Sequence, residues 1–135
     1  MGPVLISDIA EREGIPRKFL EGILLELRHG GILQSRKGKG GGYFLVREPG
    51  SVSLGEILRI VEGPLALIPC VSDTGYMRCR DCCDENRCGI HMVMKEVRDA
   101  TTTILDSATL AGVLARVPGK VNGKRASQDT PTKKI

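Results

Sequence analysis

Apolar residues recur at helical spacing early in the chain, then at strand spacing, then at helical spacing again. Phe19, Leu20, Ile23, Leu24 and Leu27 fall at i, i+1, i+4, i+5 and i+8, which places all five on one face of a helix. Pro16 suits the first turn of that helix and Gly30-Gly31 stops it. Its opposite side, near the N-terminal end, carries Arg17, Lys18, Glu21 and Gly22. Ahead of it, Ser7 is placed to cap a shorter helix that reaches Glu13, with Ile9 and Ala10 inward and Gly14 ending it. Two helices joined by a short glycine-containing turn predict a helix-turn-helix.

The period then shortens. Two short strands, about residues 32–36 and 43–47, flank Lys37-Gly38-Lys39-Gly40-Gly41-Gly42, whose glycines permit positive φ in a tight turn. A basic, glycine-rich hairpin directly after a helix-turn-helix predicts a winged helix. A nucleotide phosphate loop is excluded by context, because no Gly-Lys-Ser/Thr ending is present and a strand follows where a helix is required.

Helical spacing returns at Ser53-Leu54-Gly55-Glu56, a capping box for a helix reaching about Glu62 and stopped by Gly63-Pro64. A longer helix begins near Ile90. In it Ile90, Met94, Val97, Thr101, Ile104, Ala108 and Ala111 alternate steps of four and three, a heptad-like seam. Asp106 and Ser107 are expected to interrupt that helix, with Thr109 capping a last short one. The small winged module leaves little surface to cover so long a helix, so the seam is read as a homodimer contact.

The fold class is therefore mainly α with a small β-hairpin: a winged helix-turn-helix followed by a long dimerisation helix. The expected divisions are 1–64 for the winged module, 65–89 for a cysteine-rich loop, 90–116 for the dimerisation region and 117–135 for a disordered basic tail. Composition agrees, since 41% apolar residues with only 3% aromatics and no tryptophan favour a core of packed aliphatic helices. No N-terminal secretory pattern and no apolar run of about 20 residues occurs, so a cytoplasmic protein outside the membrane is expected.

Charge changes the picture only locally. The formal charge is +4, and the stretch from Val117 onward, with five basic residues against one acidic, accounts for all of it. Between Glu26 and Glu48, however, no acidic residue interrupts Arg28, Arg36, Lys37, Lys39 and Arg47. A uniformly basic stretch spanning the hairpin suits phosphate contact.

The candidate chemistry lies in one segment. All five cysteines, Cys70, Cys79, Cys82, Cys83 and Cys88, fall within nineteen residues, and His91 follows three residues later. Core packing would scatter small thiols along several elements. An odd count without a secretory signal also argues against a disulfide scaffold. The cluster reads as a ligand set for a soft metal or an iron–sulfur cluster. Cys79-x2-Cys82 is a loop bite that suits iron and zinc equally, so spacing alone leaves the two level. Vicinal Cys82 and Cys83 keep a metal-free thiol switch open as a third reading. A dithiol oxidoreductase is disfavoured, since the pair lacks βαβ context.

Taken together, these residues resemble the Rrf-type winged-helix transcriptional regulators, the family that includes the iron–sulfur cluster regulator and the nitric-oxide-sensitive repressor. The stretches that carry the resemblance are Ile9-Ala10-Glu11-Arg12-Glu13-Gly14-Ile15, Phe19-Leu20-Glu21 and Arg36-Lys37-Gly38-Lys39-Gly40-Gly41-Gly42-Tyr43. Gly55-Glu56-Ile57, Val61-Glu62-Gly63, the cysteine segment and Thr109-Leu110-Ala111 extend it over roughly residues 4–115.

The resemblance implies a homodimer binding double-stranded DNA at a palindromic operator, and no enzyme activity. It places Arg17, Lys18, Phe19 and Glu21 where the recognition helix enters the major groove, and Lys37 at the basic wing position that probes the minor groove. Arg36 and Lys39 are expected to contact phosphate, and Tyr43, which closes the wing motif, is expected to join the DNA-binding set. Arg and Lys can reach guanine edges or phosphates, and Glu21 can accept from a cytosine amino group.

The resemblance also tips the cysteine reading toward an iron–sulfur cluster held by Cys79, Cys82 and Cys88. Cys70 is then the fourth ligand, His91 its competitor, and Zn the alternative occupant. Two departures stand out. The family's cysteines recur with five residues between them, which Cys82 and Cys88 obey, but the same step back from Cys82 lands on Tyr76. The family also begins with a helix ahead of the residues seen here, so a start upstream of Met1 is expected, with a truncated and less stable variant as the alternative.

Overall fold

Residues 2–118 are described by the computed structural model, so the tail expected to be disordered lies, from Gly119 onward, outside the described residues. Helix α1 spans Ile6–Glu13 and α2 spans Arg17–His29. Between them Gly14 takes a left-handed conformation, φ 63°, and its amide N–H donates to the Ala10 carbonyl, a helix ending that costs a glycine little. The N-cap of α1 is Leu5, and no side chain caps it. Ser7 sits inside the first turn, which corrects its expected capping role. The start of α1 is held instead by the preceding backbone, since Val4 pairs with Tyr43 through two hydrogen bonds of 2.9 and 2.8 Å.

Strands β1, Leu33–Arg36, and β2, Gly42–Leu45, form an antiparallel pair with Leu33 opposite Leu45 and Arg36 opposite Gly42. Both are slightly shorter than the sequence suggests. The connecting turn needs positive φ at Gly38 (91°) and Gly40 (74°), which side chains with a Cβ adopt only at a cost. The hairpin is the wing that the spacing predicts.

Helix α3, Leu54–Val61, begins at Ser53, whose hydroxyl accepts the Glu56 amide N–H at 3.1 Å. Only half of the expected capping box forms. The Glu56 carboxylate turns outward to accept from Arg47 Nη2 at 2.5 Å, tying α3 to the segment after the wing. A 3-10 turn, Pro49–Ser51, leads into α3, and two more, Pro69–Val71 and Glu85–Arg87, lie in the cysteine segment. Helix α4 then runs Gly89–Ser107 and α5 runs Leu110–Arg116.

Asp106 and Ser107 do not interrupt α4; the break falls at Ala108, where the backbone becomes extended. Thr109 caps α5 as expected, its hydroxyl accepting the Gly112 amide N–H at 3.0 Å. The break has a second cause in pairing. Leu54 N–H donates to the Ala108 carbonyl at 2.7 Å and Leu110 N–H to the Val52 carbonyl at 2.9 Å. A short bridge of Ser53 with Thr109 therefore fastens the end of α4 to the start of α3. Ala108 and Ala111 thus lie beyond the helix, and the continuous seam shortens to Ile90 through Ile104.

The core is small: Leu20, Leu24, Ile32, Val52 and Val71 are its buried apolar side chains. Ile32 and Val52 are 2% and 0% exposed, and burial of such side chains stabilises by roughly 1.5–3 kcal/mol each. Phe19 is not among them. Its ring is 66% exposed, which removes it from the buried face of α2 that the periodicity assigned to it.

A candidate DNA interface and thiol cavity

The first turns of α2 expose Arg17, Lys18, Phe19, Glu21 and Gly22 together. Arg17 Nε lies 3.4 Å from Glu21 Oε1, an i, i+4 pair that water screens at such exposure. Lys18 makes no ion pair among the described residues, so its ammonium is available to an anionic partner. On the wing, Lys37 and Lys39 are exposed in the turn. Arg36 instead lies over the Phe44 ring, 5.8 Å from its centroid, which holds its guanidinium near the strand surface. Tyr43 is half-buried in β2 and lines a groove of about 760 Å³ together with Val4, Ile9, Leu24 and Phe44. The backbone pairing of Tyr43 with Val4, a residue thirty-nine positions earlier, has no signal in the sequence periodicity.

All five cysteines and His91 line one cavity of about 400 Å³ at the N-terminal end of α4. Three segments build it. Cys70 comes from the Pro69–Val71 turn and Cys88 from the N-cap of α4, with His91 in that helix's first turn. The loop between supplies Cys79, Cys82 and Cys83. In that loop Cys82 N–H donates to the Cys79 carbonyl at 3.1 Å, closing a turn. Arg78 Nη2 donates to the carbonyls of Cys82 and Cys83 at 3.2 and 2.9 Å. Tyr76 donates its hydroxyl to Glu85 Oε1 at 2.5 Å, which ties the two limbs of the loop and raises the phenol's pKa.

One half of the cavity is closely drawn together. His91 Nδ1 and Cys70 Sγ are 3.3 Å apart, and the His91 amide N–H donates to Cys88 Sγ at 3.4 Å. Burial pushes the Cys70 thiol above its ordinary range, and the Glu85 carboxylate raises it further. Among the described residues no three His, Cys, Asp or Glu side chains converge closely enough to hold an ion as they stand. The donor set nevertheless fits a soft metal centre in kind. It offers up to five thiols and one imidazole around one cavity, and although Asp81, Asp84 and Glu85 also line it, sulfur and nitrogen donors outnumber the carboxylates that magnesium or calcium would favour. The structure also places Cys83 on this cavity, beside the four cysteines of the expected ligand set.

The site is coupled to the rest of the molecule by two arginines. Arg98 of α4 donates from Nη1 to the Val71 carbonyl at 2.8 Å and to Asp73 Oδ1 at 3.0 Å. Arg59 of α3 donates to both carboxylate oxygens of Asp106 in α4, at 2.7 and 3.0 Å. Neither pairing has a signal in the sequence, since the partners lie 25 to 47 positions apart. Along α4, Ile90 and Ile104 are each 68% exposed, and Val93 and Val97 are exposed between them. No helix among the described residues is long and apolar enough to cross a membrane.

Comparison with known proteins adds to this geometry. A family model described as "Rrf2: Iron-dependent Transcriptional regulator" matches residues 1–116. An rrf2-like HTH-type transcriptional regulator of Rhodobacter capsulatus is 44% identical over 110 residues, covering 82% of this chain and 73% of that relative. The HTH-type transcriptional regulator IscR of Salmonella paratyphi B is 30% identical over 131 residues, 96% of this chain and 76% of its own. Among solved structures, CymR, the global cysteine regulator of B. subtilis, superposes with a TM-score of 0.68 at 28% identity, covering 86% of this chain and 81% of that one. IscR of T. potens superposes at 0.64 and 31%, covering 84% and 70%. The wing, the helix-turn-helix and the length of the match agree, and the chain belongs to the Rrf2 family of DNA-binding transcriptional regulators.

Proposed function

We propose that this regulator reads a palindromic operator as a homodimer, and that its affinity for DNA follows the state of an iron–sulfur cluster held at the thiol cavity. The observation that carries the reading is the shared cavity at the head of α4: five thiols and His91, drawn from three segments, face one space. Cys79, Cys82 and Cys88 are the assigned ligands, with Cys70 as the fourth and His91 competing for that position. When bound, a cluster supplies a centre that oxidant, nitric oxide or iron scarcity can alter. The relatives named IscR favour the cluster, while the relative named a cysteine regulator keeps the sensed signal open.

The chain's own residues supply the response. The cavity abuts α4 through Cys88 and His91, and α4 reaches α3 through Asp106 and Arg59. A rearranged cysteine loop therefore shifts α4, whose exposed apolar side carries the proposed dimer seam. Recognition helices of a dimer must lie about 34–36 Å apart to enter successive major grooves, so a small change in the seam alters operator affinity. In this division residues 1–64 read DNA, 65–89 sense and 90–116 dimerise. Arg17, Lys18, Phe19 and Glu21 meet the major groove, Lys37 on the wing probes the adjacent minor groove, and Arg36 and Lys39 meet phosphate.

A second reading rests on the close pair of Cys70 and His91. One imidazole with three thiolates is a common structural zinc set, and zinc would stabilise the same loop without sensing. Anaerobic purification separates the two. A brown protein with visible charge-transfer absorption supports the cluster, and a colourless one with stoichiometric zinc overturns it.

A further inference from the structure

Cys70 lies nine or more positions ahead of the other thiols, yet it reaches their cavity. Its sulfur stands 3.3 Å from His91 Nδ1 because the Pro69–Val71 turn is pressed against α4. The side chain that presses it there is Arg98. Its Nη1 donates to the Val71 carbonyl, the residue next to Cys70, and to Asp73 just beyond it. Nε and Nη2 donate to Asp99 Oδ1 at 3.0 and 2.6 Å, which orients the guanidinium. Arg98 follows His91 by seven positions, about two helical turns, so both project from one side of α4. The helix thus grips the Cys70 turn at two points, an imidazole on the thiol and a guanidinium on the adjoining carbonyl. Only 18% of the Arg98 side chain is exposed, far less than a surface arginine with no structural task.

We infer that Arg98 is a positioning residue for the thiol cavity: by pinning Val71 and Asp73 to α4, it fixes Cys70 beside His91 as a donor. The inference rests on the metal-site reading above and adds a residue outside the cysteine segment to it. A lysine could keep the charge but offers one ammonium in place of a planar fork, so it cannot reproduce the set of contacts to Val71, Asp73 and Asp99.

The test uses the full chain, purified reduced and metal-free, and Co(II) alone as the probe, because thiolate-to-cobalt absorption counts sulfur donors whichever metal the site holds. Wild type is expected to give that absorption. Arg98→Gln is expected to lower Co(II) affinity about tenfold, the size of effect typical for residues that orient ligands, and to reduce the thiolate band. Arg98→Lys should show a smaller loss in the same direction, and it carries the test if the glutamine variant fails to fold by circular dichroism. Cys70→Ser should weaken the band similarly, and adding Arg98→Gln to Cys70→Ser should change nothing more, because the two act through one donor. Wild-type band and affinity in both Arg98 variants would overturn the inference. So would an equal loss from Arg98→Gln in the Cys70→Ser background, which would mark a general structural role. No thiolate band in the wild type itself would instead overturn the metal-site reading.

Discussion

Asp106 accepts from both terminal nitrogens of Arg59, at 2.7 and 3.0 Å, across forty-seven positions of sequence. This fork joins the winged-helix half, through α3, to the far end of α4, whose other end forms the thiol cavity. The hydrogen bonds and charge of Arg59 hold the Asp106 carboxyl below its ordinary pKa, and Asp106 in turn raises that of Arg59.

Asp106→Asn is expected to cost about 0.5–1 kcal/mol at neutral pH, a modest figure because the pair is a third exposed and water screens it. The depressed carboxylate pKa means that this stability is fully present above the unfolded-state value. It is lost as pH falls through the lower folded-state value. Urea melts at pH 7 and pH 3 check the sign, since the gap between wild type and variant should narrow at the acid end.

Gly55 is buried in α3, and a Cβ added there would run into the Asp106 carboxylate. Helix propensity alone credits Gly→Ala with a gain of about 1 kcal/mol. In the wild type, Gly55→Ala is instead expected to lower stability by on the order of 1 kcal/mol, through crowding and loss of the Arg59 fork. In an Asp106→Ala background the same change should become stabilising. Thermal melts of the four proteins in this cycle read the reversal directly.

Phe19 separates folding from recognition. Because its ring is mostly in solvent, Phe19→Ala should leave stability within about 0.5 kcal/mol while weakening DNA binding. Anisotropy titration with a labelled duplex, beside a thermal melt, decides it; a large loss of stability with unchanged DNA affinity would return Phe19 to the core.

The exposed apolar side of α4 makes a corresponding demand. Ile104→Glu should leave the protomer folded and convert the proposed dimer to monomer, because a charge buried at a seam is costly. Sedimentation velocity shows this as a slower species, and an unchanged dimer would move the seam elsewhere.

The helix-turn-helix, the wing and the caps of α3 and α5 were legible because each is decided within a few residues, by glycines, by Ser53 and by Thr109. Two errors show where local signals stop. Phe19 satisfied the apolar period of α2, but its neighbour Leu20 takes the buried place in that turn and the Phe19 ring faces solvent. Asp106 and Ser107 looked like helix breakers, yet Arg59 holds Asp106 in the helix and the backbone pairing with Val52 and Leu54 sets the break at Ala108. The cysteines announced a site by their clustering. Their convergence on one cavity, the closeness of Cys70 to His91 and the grip of Arg98 depend on long-range packing, which no spacing rule contains.

In the proposed function the thiol cavity sets the affinity for DNA. The direct measurement is operator binding by the same protein in two states, reconstituted anaerobically with iron and sulfide and then stripped by chelation. The probe is a palindromic duplex selected from a random pool by the reconstituted form. A change in Kd of at least about tenfold between the states, about 1.4 kcal/mol, is expected, and it should disappear in Cys82→Ser and Cys88→Ser. Equal affinity in the two states of a protein that does take up the cluster would contradict it.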